Sequence, residues 1–177
     1  MILVYTGNGK GKTSAAMGGV FRALGHGWRV LVIQFLKGDW PIVFGEKESA
    51  KRHPGLEFLQ LGRGFVQIMG DKKPIRVHRT AARGAFKIAE EKILSKKYDL
   101  VVLDEVIVVL DGGKIPGLVS LATLLKLLKK VPTKTHIILT GRNAPPKLVQ
   151  IADLVTEMKE VKHPFKKGIQ ALKGIDY

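Results

Sequence analysis

Residues 6 to 14 read Thr-Gly-Asn-Gly-Lys-Gly-Lys-Thr-Ser and follow directly on the apolar run Ile2-Leu3-Val4-Tyr5. An apolar strand, a glycine-rich turn and a Gly-Lys-Thr opening a helical stretch form the context in which a chain builds a phosphate cradle. Glycines at 7, 9 and 11 let backbone N–H groups converge on an anion without a Cβ in the way, and the positive end of a helix adds its dipole. In such a cradle Lys12 neutralises phosphate charge and the Thr13 hydroxyl serves Mg²⁺, while Asn8, Lys10 and Ser14 add donors around them. The spacing is unusual: only three residues separate Gly7 from Gly11 where the ordinary motif keeps four. A second element supports the first. Residues 100 to 105, Leu-Val-Val-Leu-Asp-Glu, describe an apolar strand ending in two carboxylates, as expected where a buried strand delivers an acid to a metal beside bound phosphates. If the strand persists through both acids, Asp104 and Glu105 face opposite sides. One then orients water or Thr13 around the metal and the other contacts it. Mg-ATP or another nucleoside triphosphate is the expected ligand.

These residues need a scaffold, and the hydrophobic pattern describes one. Runs rich in Val, Ile and Leu recur at 2 to 5, 30 to 35, 56 to 61, 99 to 103 and 136 to 140, with a shorter one at 154 to 158. None alternates as a strand with one wet face does, so they read as strands buried on both sides. Helical spacing fills the intervals 12 to 25, 75 to 96, 117 to 130 and 145 to 152. The alternation predicts an α/β fold: a mostly parallel sheet flanked by helices in three layers, P-loop NTPase-like and of the RecA-like kind. In the helix at 75 to 96, Ala82, Ala85, Phe86, Ala89 and Ile93 are expected to face the sheet. Arg76, Arg79, Arg83 and Lys87 make a second stripe, which either reaches an anion or forms the helix's wet face. The stretches 36 to 55 and 62 to 74 lack clear periodicity and read as loops over a site.

Composition narrows the function. The chain of 177 residues, 45% of them apolar, suits one compact domain over 1 to 177. It has no run of eighteen apolar residues and no secretory pattern, so a cytoplasmic protein without a membrane span is expected. No cysteine is present, which removes disulfides, thiolate metal sites and a cysteine nucleophile. A formal charge of +15 favours a polyanionic partner. A dense basic arm with interleaved aromatics is missing, which argues against nucleic acid as that partner. The five histidines are scattered without ligand spacing, and neither a Gly-x-Ser-x-Gly elbow nor a His-Glu-x-x-His helix occurs. Chemistry that requires a protein nucleophile or base is poorly provided for.

Three segments together resemble one family. The opening TGNGKGKTSAA, the LVVLDE strand and the stretch from ILTGRNAPPKLVQ to KKGIQALKGIDY are similar to the ATP:corrinoid adenosyltransferases of the cobalamin pathway, over nearly the whole chain. The shortened Gly-x-x-x-Gly-Lys-Thr loop is normal in that family. The resemblance implies that ATP lies reversed relative to ordinary phosphate-loop enzymes, its triphosphate end in the loop and C5′ of the ribose facing the corrinoid. It further implies transfer of the adenosyl group to Co(I) with loss of triphosphate, a reduced corrinoid as second substrate, a reduced flavoprotein as electron source and a homodimer. Lys10, Lys12, Thr13 with Mg²⁺, and Glu105 then compensate the leaving group, Arg142 is a further contact, and Asp104 supports the metal shell. Phe65 would press on the corrinoid.

The chain departs from the family pattern in three places. Ile107 stands where an asparagine usually follows the acid pair; Gly64-Phe65-Val66-Gln67 lacks the second aromatic; Leu172 replaces a glutamine near the end. These touch corrinoid handling and leave the phosphate residues unchanged. Two other functions fit the cradle and acid pair: a RecA-like ATPase or small kinase, and a non-catalytic relative that binds ATP or corrinoid without turnover.

Overall fold

The structure is a computed structural model and describes residues 1–39, 42–64, 66, 70–111 and 117–177. In chain order the elements are β1 (Ile2–Thr6), α1 (Lys12–Gly25), β2 (Val30–Gln34), α2 (Gly45–Ala50), β3 (Leu56–Gln60), α3 (Ile75–Leu94), β4 (Leu100–Asp104), α4 (Leu121–Leu128), β5 (His136–Thr140), α5 (Pro146–Ile151) and β6 (Leu154–Glu157). Short 3₁₀ turns lie at Val106–Val109 and Pro164–Lys167. The six strands form one sheet in the order β3-β2-β4-β5-β1-β6, and every neighbouring pair is parallel. The expected parallel sheet and its sixth strand are both present, but only β2 and β4 are buried along their whole length; β3, at the sheet edge, is half-buried and β6, at the other edge, is exposed.

Alternate residues of the central strands feed two cores, as the period of two demands. Leu31, Ile33, Val101, Leu103, Ile137 and Leu139 pack with α3 and α4. Val30, Val32, Leu100, Val102 and Ile138 pack with Ala16, Val20 and Ala23 of α1. The α1 face is small because the helix lies close on the sheet: a Cβ on Gly19 would already be 3.2 Å from Ile138 Cδ1. On α3 the five predicted sheet-facing residues are all buried. Arg76, Arg83 and Lys87 of its basic stripe are exposed and Arg79 is half-buried, so the stripe is the helix's wet face.

Three sequence expectations change. The periodic stretch 117 to 130 is helical only from Leu121, because the Ser120 hydroxyl accepts the Thr123 N–H at 3.1 Å and caps the helix there. Before it, Val119 forms a parallel bridge with Leu110. The aperiodic stretch 36 to 55 contains α2, whose Gly-Glu-Lys-Glu-Ser-Ala sequence is too short to show a period although Glu, Lys and Ala favour helix. Finally, β4 does not continue through both acids: it ends at Asp104, and Glu105 turns into the left-handed region with φ 62°.

Register matters most at the carboxyl ends of the strands. Gln34 is paired with both Gln60 and Asp104, and Tyr5 with Thr140, so Gln60, Gln34, Asp104, Thr140 and Tyr5 form one row of polar residues at the rim of a largely apolar sheet. In open parallel sheets this rim is where ligands bind. The rim is held by the helical layer beneath it. Ile93 is 1% exposed between α3 and the sheet, and Ile93→Ala should lower the unfolding free energy by about 2–5 kcal/mol in urea titrations, without changing the far-ultraviolet spectrum of the folded state.

Candidate active site

The turn between β1 and α1 has the form the sequence predicts. Gly7 and Gly11 have φ of 99° and 110°, and Gly11 occupies the cap position of α1 with no side chain hydrogen bonded to the helix start. The first intrahelical bond runs from the Ala15 N–H to the Gly11 carbonyl at 2.7 Å, so the amides of Lys12, Thr13 and Ser14 precede the ladder. No acid stands in the first turn. The helix start is thus electropositive and uncapped. The loop glycines have a second duty that the sequence did not announce. A Cβ on Gly7 would run into the Met158 backbone, and one on Gly9 would lie 2.8 Å from Lys159 carbonyl atoms. The Gly9 N–H itself donates to the Met158 carbonyl at 2.7 Å. One face of the loop therefore rests on the chain leaving β6, and the other is left for a ligand.

Lys12 is buried and folds back on its own loop, donating to the carbonyls of Gly7 at 2.9 Å and Gly9 at 2.6 Å. Burial lowers its pKa; Glu105 opposes the shift, Arg142 adds to it, and Asp104 opposes it again. Beside it, Asp104 is fully buried and its carboxylate is satisfied on both oxygens. Oδ1 accepts from Thr13 Oγ1 at 2.8 Å and Thr140 Oγ1 at 2.7 Å, and Oδ2 accepts from Gln34 Nε2 at 2.9 Å. Thr13, at the start of α1, is in this way tied to β4 and β5. Its hydroxyl spends its proton on Asp104, which leaves the oxygen lone pairs free for a cation.

Glu105 points elsewhere. Its backbone N–H donates to Thr140 Oγ1 at 2.8 Å, fixing the left-handed turn. Burial and the neighbouring Asp104 carboxylate raise its pKa from 4.5 to about 7, against the pull of Lys12, Lys37 and Arg142. Arg142 is exposed on the loop after β5, where Gly141 has φ 144° and Asn143 has φ 57°. Asn8, Lys10 and Ser14 are likewise exposed at the loop surface. An open cleft of about 490 Å³ beside the loop is lined by Asn8, Lys159, Glu157 and Glu160; its two acids make it a poor seat for a triphosphate.

The structure brings in residues that sequence reasoning missed. Lys37, with its side chain 11% exposed, donates to Glu46 Oε1 at 3.0 Å, lies 3.8 Å from Asp104 Oδ2 and sits 4.5 Å over the Phe44 ring. Gln34 donates to Glu46 as well as to Asp104, and accepts from Gln60 at 2.7 Å. A polar residue at the end of an apolar strand was the available signal for Gln34; the pairing of Lys37 with α2 had none. The two loops expected over the site are joined at their roots: a Cβ on Gly38 would strike the Gly62 carbonyl, and Arg63 pairs with Asp39 at 3.1 Å. Phe65 and Gln67 lie outside the described residues.

Comparison with known proteins fixes the family. The model for "ATP:corrinoid adenosyltransferase BtuR/CobO/CobP" matches residues 1–177. The chain belongs to the ATP:corrinoid adenosyltransferase family. It is 39% identical to a corrinoid adenosyltransferase of Sinorhizobium sp over 100% of this chain and 80% of that protein. It is 39% identical to one from Pseudomonas aeruginosa, covering 83% of it, and 37% identical to one from Escherichia coli K12, covering 85%, again over the whole of this chain. Within this adenosyltransferase, Ile107 is buried in the 3₁₀ turn after the acid pair, packed so close to Gly141 that a Cβ there would lie 2.8 Å from the Ile107 Cβ. Leu172 is exposed.

Because Glu105 keeps its proton up to about pH 7 in the folded adenosyltransferase but loses it near 4.5 when unfolded, the folded state binds more protons across that window and stability falls as pH rises through it. Glu105→Gln should remove this dependence. In urea unfolding without nucleotide or metal, its advantage over wild type should grow between pH 4.5 and 8 to at most about 3 kcal/mol. An offset that stays constant with pH would contradict the assignment.

Proposed function

We propose that this adenosyltransferase moves the 5′-deoxyadenosyl group of ATP to Co(I) of a corrinoid and releases triphosphate. The observation that carries the reading is the hydrogen bond from Thr13 to Asp104, which joins an uncapped helix start to a buried acid with Glu105 next to it. Family membership supplies the corrinoid. In the reaction the cobalt electron pair attacks C5′, the Co–C bond forms, the C5′–O bond breaks and its electrons leave with the triphosphate. Since the reduced metal of the substrate is itself the nucleophile, the protein's task is to position ATP and to compensate charge gathering on the leaving group.

The triphosphate end of ATP lies on the amides of Lys12, Thr13 and Ser14, flanked by Asn8 and Lys10 on the glycine loop. Lys12 turns from the Gly7 and Gly9 carbonyls onto the phosphates, exchanging two bonds to neutral oxygens for bonds to anionic ones. Arg142 approaches from the loop after β5. Among the described residues no group of three or more His, Cys, Asp or Glu could hold a metal unaided, so a cation here must share its ligands with the triphosphate and water. The all-oxygen donor set of Thr13 and Glu105, with Asp104 behind Thr13, suits Mg²⁺, which keeps several ligands of that kind. Held by these residues, Mg²⁺ would supply positive charge against the triphosphate. Phe65 and the joined loops after β2 and β3 cover the corrinoid and exclude water. A reduced flavoprotein makes the Co(I) state. The enzyme works as a cytoplasmic homodimer with one such domain per chain; among the described residues no helix is long and apolar enough to cross a membrane.

Incubation with Mg-ATP and chemically reduced cobalamin under anaerobic conditions should give light-sensitive adenosylcobalamin and intact triphosphate. Orthophosphate released without corrinoid would favour a RecA-like ATPase or kinase instead, and binding of both substrates without product would favour a non-catalytic relative. In the same assay Lys12→Ala should lose at least about 100-fold in turnover, as removal of a preorganised charge from a leaving group does. Near-normal turnover would refute the phosphate assignment.

A further inference from the structure

Lys10, on the exposed side of the glycine loop, forms an ion pair with Asp176, more than 160 residues away at the far end of the sequence. The two partners differ in freedom. Asp176 belongs to a tight turn, residues 172 to 177. Its Oδ2 accepts the Leu172 N–H at 2.7 Å, and its own N–H donates to the Leu172 carbonyl at 2.8 Å. The Ile175 N–H reaches the same carbonyl at 3.2 Å, and the Gly174 N–H donates to the Tyr177 carbonyl at 2.8 Å. Oδ1 is thereby left for Lys10. The acid side chain is 14% exposed and the lysine 46%. The turn also abuts the start of α2, where a Cβ on Gly45 would lie 3.9 Å from the Tyr177 carbonyl. A fixed, half-enclosed carboxylate thus holds a flexible ammonium whose remaining N–H groups face solvent at the phosphate loop.

We propose that Asp176 is a positioning residue for ATP: it holds Lys10 in place, so that the triphosphate meets an ammonium already ordered at the rim of the loop. The inference rests on the reading that this loop receives the triphosphate. A lysine stem loses considerable rotamer freedom when it is fixed, and a partner that fixes it beforehand removes that cost from nucleotide binding. An ammonium has three donors, and one carboxylate oxygen occupies one of them. The pair therefore leaves Lys10 able to bind phosphate while bound to Asp176.

The test is a double-mutant cycle on steady-state kinetics with Mg-ATP and reduced cobalamin. Asp176→Asn should raise KM for ATP roughly 3- to 10-fold, with kcat within about two-fold of wild type and KM for the corrinoid unchanged, the mark of lost ground-state binding. Asp176→Glu, which keeps the charge, should recover most of the loss. Lys10→Ala should raise KM for ATP at least as much, and adding Asp176→Asn to it should bring no further change. An unchanged or lowered KM for ATP in Asp176→Asn would overturn the proposal, the lowered value showing an acid that competes with triphosphate. Effects that multiply in the double variant, or a KM shift for both substrates with a lower Tm, would also overturn it in favour of a turn that only supports the fold. If Lys10→Ala leaves KM for ATP untouched while Lys12→Ala abolishes turnover, the inference fails and the phosphate site stands; if neither variant matters, the site itself is elsewhere.

Discussion

A buried carboxylate must be answered on every side or it unfolds its surroundings, and Asp104 is the place where this chain meets that demand. Its oxygens take hydrogen bonds from α1, β2 and β5, and Lys37 stands close enough to balance its charge. An ion buried without such partners would be destabilising by several kcal/mol. Satisfied as it is, it converts three separate elements into one rigid corner. Thr13 is held there, and with it the first turn of α1. The sheet is apolar up to this row, so the polar network cannot slide along the strands without placing Asp104 among leucines and valines.

The electrostatics of the corner are close to balanced rather than simply positive. Among the described residues, Lys10, Lys12, Lys37 and Arg142 stand near Asp104, Glu105, Glu46 and Asp176. Lys12 is drawn toward neutrality by burial and Glu105 is drawn the same way from the opposite side. On the function proposed above, such a site would take up a triphosphate by redistributing existing pairs: Lys12 would exchange loop carbonyls for phosphate, and Glu105 would meet the cation. The net charge of +15 over the whole chain says much less about the site than this local arrangement does.

Much of this was legible in the sequence, for identifiable reasons. The parallel sheet announced itself because strands buried on both faces must be continuous runs of Val, Ile and Leu. The glycine turn did so because three glycines stand between an apolar run and a helical stretch. The sheet-facing stripe of α3 follows from helical geometry alone. What stayed hidden depends on contacts that no period records. Glu105 leaves the strand direction because Thr140, 35 residues later, captures its amide. Gly7 and Gly9 are small partly because Met158 and Lys159 lie against them. Lys37 and Asp176 are ordinary surface types in one dimension, and only folding gives them partners. Phe65 lies outside the described residues, so its role rests on resemblance.

The close approach of Gly38 to Gly62 ties the chain after β2 to the chain after β3. The Gly62 backbone occupies the space in which a Cβ on Gly38 would stand, the Phe35–Leu36 backbone fills that of a Cβ on Gly62, and the Asp39–Arg63 pair rivets the junction from outside. Two segments fastened in that manner share one junction, and strain introduced in either is felt by the other. A side chain at position 38 would press on the Gly62 carbonyl and part the two segments, whereas one at position 62 would press on the Phe35–Leu36 backbone just beyond β2.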